Sequence, residues 1–317
     1  MASLQIIKKR LKGIGNIHQM TQAMELVAAT KMRRAQEVAL SSRPYVLTAL
    51  EILANILEGI EHNGEASFDA SRLTLLKKRE IKRTAIILVA ADKGLAGSFN
   101  SAVFKKFERF LAEHPEGDFA YIAVGQKAVD HLKRKGLPIE AQFTRYGDLI
   151  HMHDVLPLSV VAREGFESGK WDSVMIHSTH FLSALRQEVI SRQILPLDFE
   201  KIRAVDEELI PETGRFSELR KQLIQNRPTR PADYLIEPSP YEALETLLPT
   251  LFTMQVYHSI LEANASEHSA RRMAMKSATD SASELIEDLT LEYNRSRQAL
   301  VTKELIEIAG TTAALKK

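Results

Sequence analysis

The sequence of 317 residues contains no cysteine. Disulfide bonds, thiolate catalysis, thiol redox switching and cysteine-containing zinc sites are therefore excluded. Aromatic residues make up only 6%, and the net charge of +1 provides no strong field to attract nucleic acid or a membrane surface. No uncharged apolar stretch approaches the roughly eighteen residues that a membrane-spanning helix needs. We therefore expect no membrane span. The basic start also lacks the apolar segment of a secretory signal, and we expect no cleaved leader.

Proline and glycine are both missing from residues 250–309. A capping box with proline at the first helical position, Ser239-Pro240-Tyr241-Glu242, precedes this stretch. We predict one helix from Pro240 to Gly310, roughly 100 Å long and too long for a globular domain. Its apolar or small residues step by three and four: Leu251, Met254, Leu261, Ala265, Met275, Ala282, Ile286, Leu289, Tyr293 and Leu300. This spacing predicts one helix of a coiled coil, although the periodicity by itself also fits a long helix in an all-α bundle. Four polar residues interrupt the seam: His258, His268, Arg272 and Thr279. We expect such positions where the helix turns toward partner proteins.

Residues 1–58 predict a second long helix, interrupted only by Pro44. A broad apolar stripe is expected along it: Ile7, Leu11, Ile14, Ile17, Met20, Met24, Val27, Met32 and Ala35. Antiparallel pairing of the two terminal helices would cover both stripes. Residues 1–34 contain seven basic residues and one acidic residue. This charge indicates either a solvated face or an acidic partner, whereas nucleic-acid binding is disfavoured because this stretch has no aromatic residue.

Residues 80–200 have the alternating pattern of a small α/β domain. Residues 84–90 form a continuous apolar run typical of a strand buried on both faces, and further strands are expected at 119–124 and 173–177, with a possible edge strand at 188–194. Helices are expected at 98–113 and 126–135. The predicted fold class is therefore α/β, with a largely parallel, Rossmann-like sheet between the paired helices. The predicted domains are helix 1–58, α/β domain 80–200, an irregular excursion at 201–238 and helix 239–317.

Two places could carry chemistry. The loop Asp92–Ser98 follows a strand and opens a helix, where backbone N–H groups can cradle phosphate, but it matches neither GxxxxGK[ST] nor GxGxxG. A tight structural turn is the favoured interpretation, and a nucleotide-binding α/β enzyme with coiled-coil arms is the alternative. Four histidines and an aspartate form two small groups that could bind metal but are more typical of surface or capping residues: His151, His153 and Asp154, then His177 and His180. We expect no catalytic residue, no metal and no cofactor.

Several stretches together resemble the gamma subunit of F-type ATP synthases. They include MTQAMELVAATKMRRAQ at 20–36, SRPY at 42–45 and DKGLAGSFN at 92–100. Near the end, YLIEP at 234–238, ASEHSAR at 265–271 and MAM at 273–275 match, followed by matching positions from 285 to 310. The family's chloroplast members use a thiol switch, which this cysteine-free chain cannot contain.

The resemblance implies a non-catalytic rotor of the bacterial type. The paired helices would form an axle within three α and three β subunits, and the α/β domain would sit with the epsilon subunit on the membrane c-ring. Proton flow would turn this axle while ATP is made on the β subunits. The chain would be peripheral to the cytoplasmic side of the cell inner membrane, without nucleic acid. By resemblance, the residues contacting β subunits are Met24, Lys31, Arg33, Arg34, Arg297, Gln298, Thr302 and Glu304.

Overall fold

Two long helices begin and end the part of the chain that the computed structural model describes, residues 4–62, 73–147, 150–198 and 236–315. Helix α1 spans Leu4–His62 and includes Pro44. The last helix, α5, spans Pro240–Leu315, and its N-terminus is capped as predicted, since the backbone N–H of Glu242 donates to the Ser239 hydroxyl at 3.2 Å. The prediction that Gly310 ends this helix is wrong. A glycine weakens a helix interior by about 1 kcal/mol but does not stop the helix by itself.

The centre of the chain forms a five-stranded sheet. Its strands are β1 (Arg83–Val89), β2 (Asp118–Val124), β3 (Ile139–Phe143), β4 (Ser173–Phe181) and β5 (Gln187–Leu195). Their spatial order is β3-β2-β1-β4-β5. Neighbours pair in parallel except β4 and β5, which are antiparallel. Because β5 is last in the spatial order, it is an edge strand, as predicted for this stretch. The predicted α/β fold class with a largely parallel sheet is confirmed. The short strand β3 was not predicted.

Helices cover both faces of the sheet: α2 (Phe99–Glu113), α3 (Gln126–Arg134) and α4 (Met152–Glu167). Alternate residues of β1 pack on opposite faces of the sheet. Ile86 and Leu88 belong to the hydrophobic cluster beneath α2 and α3, whereas Ala85 and Ile87 belong to the cluster that includes α4 and α5. This division explains the continuous apolar run.

Helix α4 was not predicted from the sequence, and it contains Pro157 and Gly165. The glycine is required by packing, because a Cβ there would lie 1.9 Å from the Trp171 indole. The indole Nε1–H of Trp171 in turn donates to the carbonyl of Ala162 at 2.9 Å.

The chain divides into two compact units. One contains Met1–Thr30 and Arg271–Lys317, and is called here the helix-pair unit; the other, Lys31–Ala270, is called the α/β unit. The predicted excursion at 201–238 lies outside the described residues apart from its last three positions. Among the helices of the described ranges, none has the length and apolar character needed to cross a membrane.

Candidate functional site

A hydroxyl pair joins α1 and α5 within the helix-pair unit. The Thr279 hydroxyl lies 2.8 Å from the Thr21 hydroxyl, and both side chains are buried. If the helices run antiparallel with these two residues opposite each other, residue 30 lies opposite residue 270. The helix-pair unit ends at Thr30 on α1 and begins at Arg271 on α5. This agreement indicates that the two helices are antiparallel here.

Burial along the helix-pair unit follows a seven-residue repeat. On α5, one series of buried and partly buried positions steps by three and four residues, with further partly buried residues beside several of them: Arg272, Met275, Thr279, Ala282, Ile286, Leu289 and Tyr293. On α1, the corresponding positions are seven residues apart: Ile7, Ile14, Thr21 and Ala28. A repeat of this kind is the packing pattern of two supercoiled helices.

The predicted apolar stripe of α1 is wrong at three positions. Ile17, Met20 and Val27 are 53%, 63% and 52% exposed, although all three were expected in the contact. A two-helix seam is narrower than the apolar stripe of a helix on a globular core, so residues beside the seam remain uncovered. Leu26, which was not placed in the predicted stripe, is also exposed, at 66%.

The polar interruptions of α5 do not face partners as expected. His258, His268 and Thr279 are only 5%, 4% and 9% exposed, and Arg272 is partly buried. The first two lie in the α/β unit and the third packs against Thr21. These polar groups are therefore covered by other parts of the same chain and do not need a partner protein to cover them.

The basic residues proposed to contact β subunits lie on the part of α1 that belongs to the α/β unit. Arg33 and Arg34 are exposed, beside the buried Met32, and Lys31 is partly buried. Met24 is partly buried and belongs to the helix-pair unit. Two arginines are thus free to meet solvent or a partner, whereas Met24 is accessible only in part.

The second predicted contact group lies near the end of α5. Arg297, Gln298, Thr302 and Glu304 are all exposed, and the Thr302 hydroxyl donates to the Gln298 carbonyl at 2.9 Å. In the antiparallel register Met24 lies opposite residue 276. Arg297 is thus roughly 30 Å farther along the helix. The structure therefore does not bring Met24 together with this group.

An exposed apolar surface at the end of α5 was missed by sequence reasoning. Beyond about residue 296, no described residue of α1 lies opposite this helix. Leu300, predicted to lie in the seam, is 48% exposed. The side chains of Val301, Leu305, Ile306 and Ile308 are between 48% and 66% exposed. A cluster of large exposed apolar residues marks an interaction surface. The available signal was that apolar residues here come in adjacent pairs, Leu300 with Val301 and Leu305 with Ile306, which cannot all lie on one seam.

The glycine-containing loop is held by its own chain. The Asp92 carboxylate accepts the backbone N–H of Gln126 at 2.9 Å, and the Asn100 side-chain oxygen accepts the N–H of Ala91 at 2.9 Å. Gly97 adopts a φ of 55°, which favours glycine. The Asp92 carboxylate therefore holds the loop to the start of α3, and the Asn100 side chain holds it to the end of β1. These contacts favour the structural interpretation of the loop.

The histidines have structural positions. Asp154 caps α4 by accepting the N–H of His151 at 2.8 Å, and His153 is largely exposed, as expected for capping and surface residues. The same expectation is wrong for His177 and His180, which are 0% and 8% exposed. Within the described ranges, no three His, Asp or Glu side chains are arranged to hold a metal ion.

Comparison with known proteins assigns the chain to a family. The sequence profile of the ATP synthase family matches residues 3–315. The chain is 34% identical to the ATP synthase gamma chain of Cyanothece sp., with full coverage of both. It is 37% identical to the gamma chain of Dehalococcoides mccartyi, over 99% of this chain and all of that one. The chain belongs to the ATP synthase gamma-chain family.

Solved structures agree with this family at the level of the fold. The rotor of the Euglena gracilis mitochondrial ATP synthase matches 94% of this chain and 99% of that chain, with a TM-score of 0.58 and 18% identity. The central stalk and c-ring of Tetrahymena thermophila give a TM-score of 0.54 and 23% identity, covering 82% and 99%. Membership of the gamma-chain family supports the rotor hypothesis and gives no support to the nucleotide-binding enzyme.

Proposed function

We propose that this chain is the central-stalk rotor subunit of a proton-translocating F-type ATP synthase. It transmits torque between the membrane c-ring and catalytic β subunits and contributes no catalytic residue itself. The observation that carries this proposal is the helix pair with a seven-residue repeat, extended by an exposed end of α5, in a chain of the gamma-chain family. The pair is a coiled coil, a torsionally stiffer element than a single helix or a linker.

The exposed surfaces suit a partner that is contacted and released in turn. Arg33 and Arg34 present positive charge to an acidic β-subunit surface, together with Lys31 and Met24. Exposed ion pairs contribute about 0–1 kcal/mol each, so a few of them can break at every rotational step. A buried charge network would be too costly to separate repeatedly.

The end of α5 suits a second contact. Arg297, Gln298, Thr302 and Glu304 provide the polar groups that engage a β subunit higher on the axle. The exposed apolar residues between 300 and 308 need a surrounding surface, which the ring of three α and three β subunits would provide. Axial separation from Met24 means that Met24 and this group act at different heights on the helix pair.

The remaining partners follow from the same proposal. The α/β unit associates with the epsilon subunit and the c-ring. The complex places the chain peripherally on the cytoplasmic face of the bacterial inner membrane. The names of the structural neighbours, a rotor and a central stalk with c-ring, support this arrangement.

Co-expression with α and β subunits of a related bacterial synthase tests the proposal. We expect the chain to co-purify at one copy for three β subunits, and its omission to abolish ATP-driven proton pumping in membrane vesicles. The isolated chain should hydrolyse no ATP. Purification without β subunits, or ATP hydrolysis by the chain alone, would refute the rotor function.

A further inference from the structure

Residues 251–270 of α5 are enclosed by the rest of the α/β unit and are called here the enclosed segment. Sixteen of these twenty side chains are buried and the other four are partly buried. An amphipathic helix at a surface would have an exposed face in such a stretch. Seven of the buried side chains are polar or charged, namely Thr253, His258, Ser259, Glu262, Ser266, His268 and Ser269. Polar groups buried in this number require hydrogen-bonding partners, and some of these partners lie on other elements.

Besides a 3.3 Å hydrogen bond from the Thr253 hydroxyl to the Ser159 hydroxyl of α4, three side chains of the enclosed segment make shorter hydrogen bonds to other elements of the α/β unit. The Tyr257 hydroxyl donates to the carbonyl of Ile150 at 3.0 Å, before α4. The Ser269 hydroxyl donates to the carbonyl of Ala184 at 2.7 Å, in the turn between β4 and β5. These two contacts hold the segment near its middle and its end.

The third contact is between two buried ionisable side chains. Oε2 of Glu262 lies 2.7 Å from Nδ1 of His180, near the end of β4. The two side chains are 8% and 10% exposed. Breaking this contact would deprive a buried carboxylate and a buried imidazole nitrogen of this hydrogen bond. The free-energy cost is large because water does not reach these groups to replace the bond. It is therefore the strongest of the three restraints.

The three contacts act in different directions around α5. At 100° per residue, Glu262 lies about 140° around the helix from Tyr257, and Ser269 lies about 20° from Glu262. Along the axis they extend over roughly 18 Å. Apolar packing depends little on direction, whereas a hydrogen bond weakens steeply when its angle or length changes. Contacts on two sides and at three heights therefore oppose both rotation and sliding of the helix.

We propose that Tyr257, Glu262 and Ser269 are positioning residues that lock α5 to the α/β domain, so that torque passes from the domain into the helix at this place. This inference rests on the proposed rotor function. It assigns a mechanical role to polar groups that the coiled-coil pattern treats only as interruptions. Their effect is on the position of the helix.

A matched pair of serines separates this role from simple stability. Ser259 and Ser269 are both buried in the enclosed segment, at 6% and 1% exposure. The Ser259 hydroxyl donates to the Gln255 carbonyl of its own helix at 2.9 Å, whereas Ser269 reaches the turn at Ala184. Ser259→Ala and Ser269→Ala therefore remove the same group, and only the second removes a contact between elements.

The experiment uses the assembled synthase, with its β subunits immobilised and a probe on the α/β domain. Because the chain has no cysteine, Lys133→Cys on the exposed side of α3 gives a single labelling site. The angular spread of the probe is measured while the catalytic subunits are stalled. Loss of one hydrogen bond should raise the fraction of molecules in which α5 is displaced relative to the α/β domain roughly fivefold. We expect a broader spread and fewer protons pumped per ATP for Ser269→Ala and Glu262→Leu, and no change for Ser259→Ala.

Glu262→Gln is the conservative variant, since its amide can still bond His180, and it should retain most of the wild-type behaviour. If Glu262→Leu does not fold, the two serine variants still decide the question. Equal angular spread and equal coupling in Ser269→Ala and Ser259→Ala would overturn the proposal. Failure of the wild-type chain to assemble with β subunits would instead refute the rotor function itself.

Discussion

The buried imidazole of His177 predicts a measurable pH dependence of folding. His177 lies on β4 and packs against the rings of Phe107 and Phe110, with centroids 5.7 and 5.0 Å away. Burial lowers the pKa of His177 from its ordinary value near 6.5 to about 4, and the positive charge of Lys106 adds to this effect. The folded chain therefore excludes a proton that the unfolded chain binds. Stability is fully present above pH 6.5 and is lost as the pH falls toward 4.

The size of this loss follows from the two pKa values. The full difference corresponds to about 3 kcal/mol, of which about 2 kcal/mol is lost between pH 7.5 and pH 5. We expect His177→Asn to remove this part of the pH dependence. The assay is urea unfolding of the full chain at both pH values, followed by far-ultraviolet circular dichroism. Free energies of unfolding are compared as differences within each variant.

Ser191→Ala is the matched control, because the Ser191 hydroxyl lies 2.9 Å from Nδ1 of His177 and its removal leaves the imidazole in place. This variant should keep the wild-type pH dependence. Part of the dependence should also remain in His177→Asn, because burial lowers the pKa of His131 as well. The same loss between pH 7.5 and pH 5 in His177→Asn and wild type would contradict the reasoning.

Three further outcomes are expected. Replacing both Arg33 and Arg34 with glutamate should reduce ATP-driven proton pumping while helical content is unchanged, because only exposed charge is altered; unchanged coupling would exclude an acidic partner at this place. The double variant Thr21→Cys/Thr279→Cys should form a disulfide on mild oxidation, since the two hydroxyl oxygens are 2.8 Å apart, and a cysteine pair displaced by one helical turn should react far more slowly. Glu140→Gln should destabilise the chain at neutral pH by less than about 1 kcal/mol, because a lysine hydrogen bond at 2.6 Å holds the pKa of this carboxyl below its ordinary value but both side chains are exposed to solvent. The stabilisation by Glu140 is present above the pKa of this carboxyl in the unfolded chain and is lost as the pH falls through its pKa in the folded chain. The difference between Glu140→Gln and wild type in the free energy of unfolding by urea should therefore shrink in acid. A difference that stays constant would show that the lysine contact is not responsible.

The predicted contact residues illustrate where sequence information stops. Resemblance to a family marks positions such as Arg297 and Met24, but it says nothing about their accessibility. The structure leaves Arg297 exposed and Met24 partly covered. Their contact with β subunits stays a prediction, because it depends on surfaces of other chains.

The sequence by itself determined the long helices and the strand–helix alternation. Sixty residues without proline or glycine, a capping box at Ser239 and an apolar run at 84–90 act through local backbone geometry and burial, which short-range patterns encode. Sequence patterns did not predict strand β3 and helix α4. Strand β3 has only five residues, and α4 contains a proline and a glycine that fit only in their packed context.

Tertiary structure alone decided which side of each helix is covered. Periodicity could not show that Met20 is exposed while Thr21 is buried, because that depends on the register of α1 against α5. Nor could it show that Glu262 is enclosed and bonded to His180, a residue 82 positions away. Local sequence sets the elements, whereas the free energy of burying or pairing a polar group depends on what lies beside it in space.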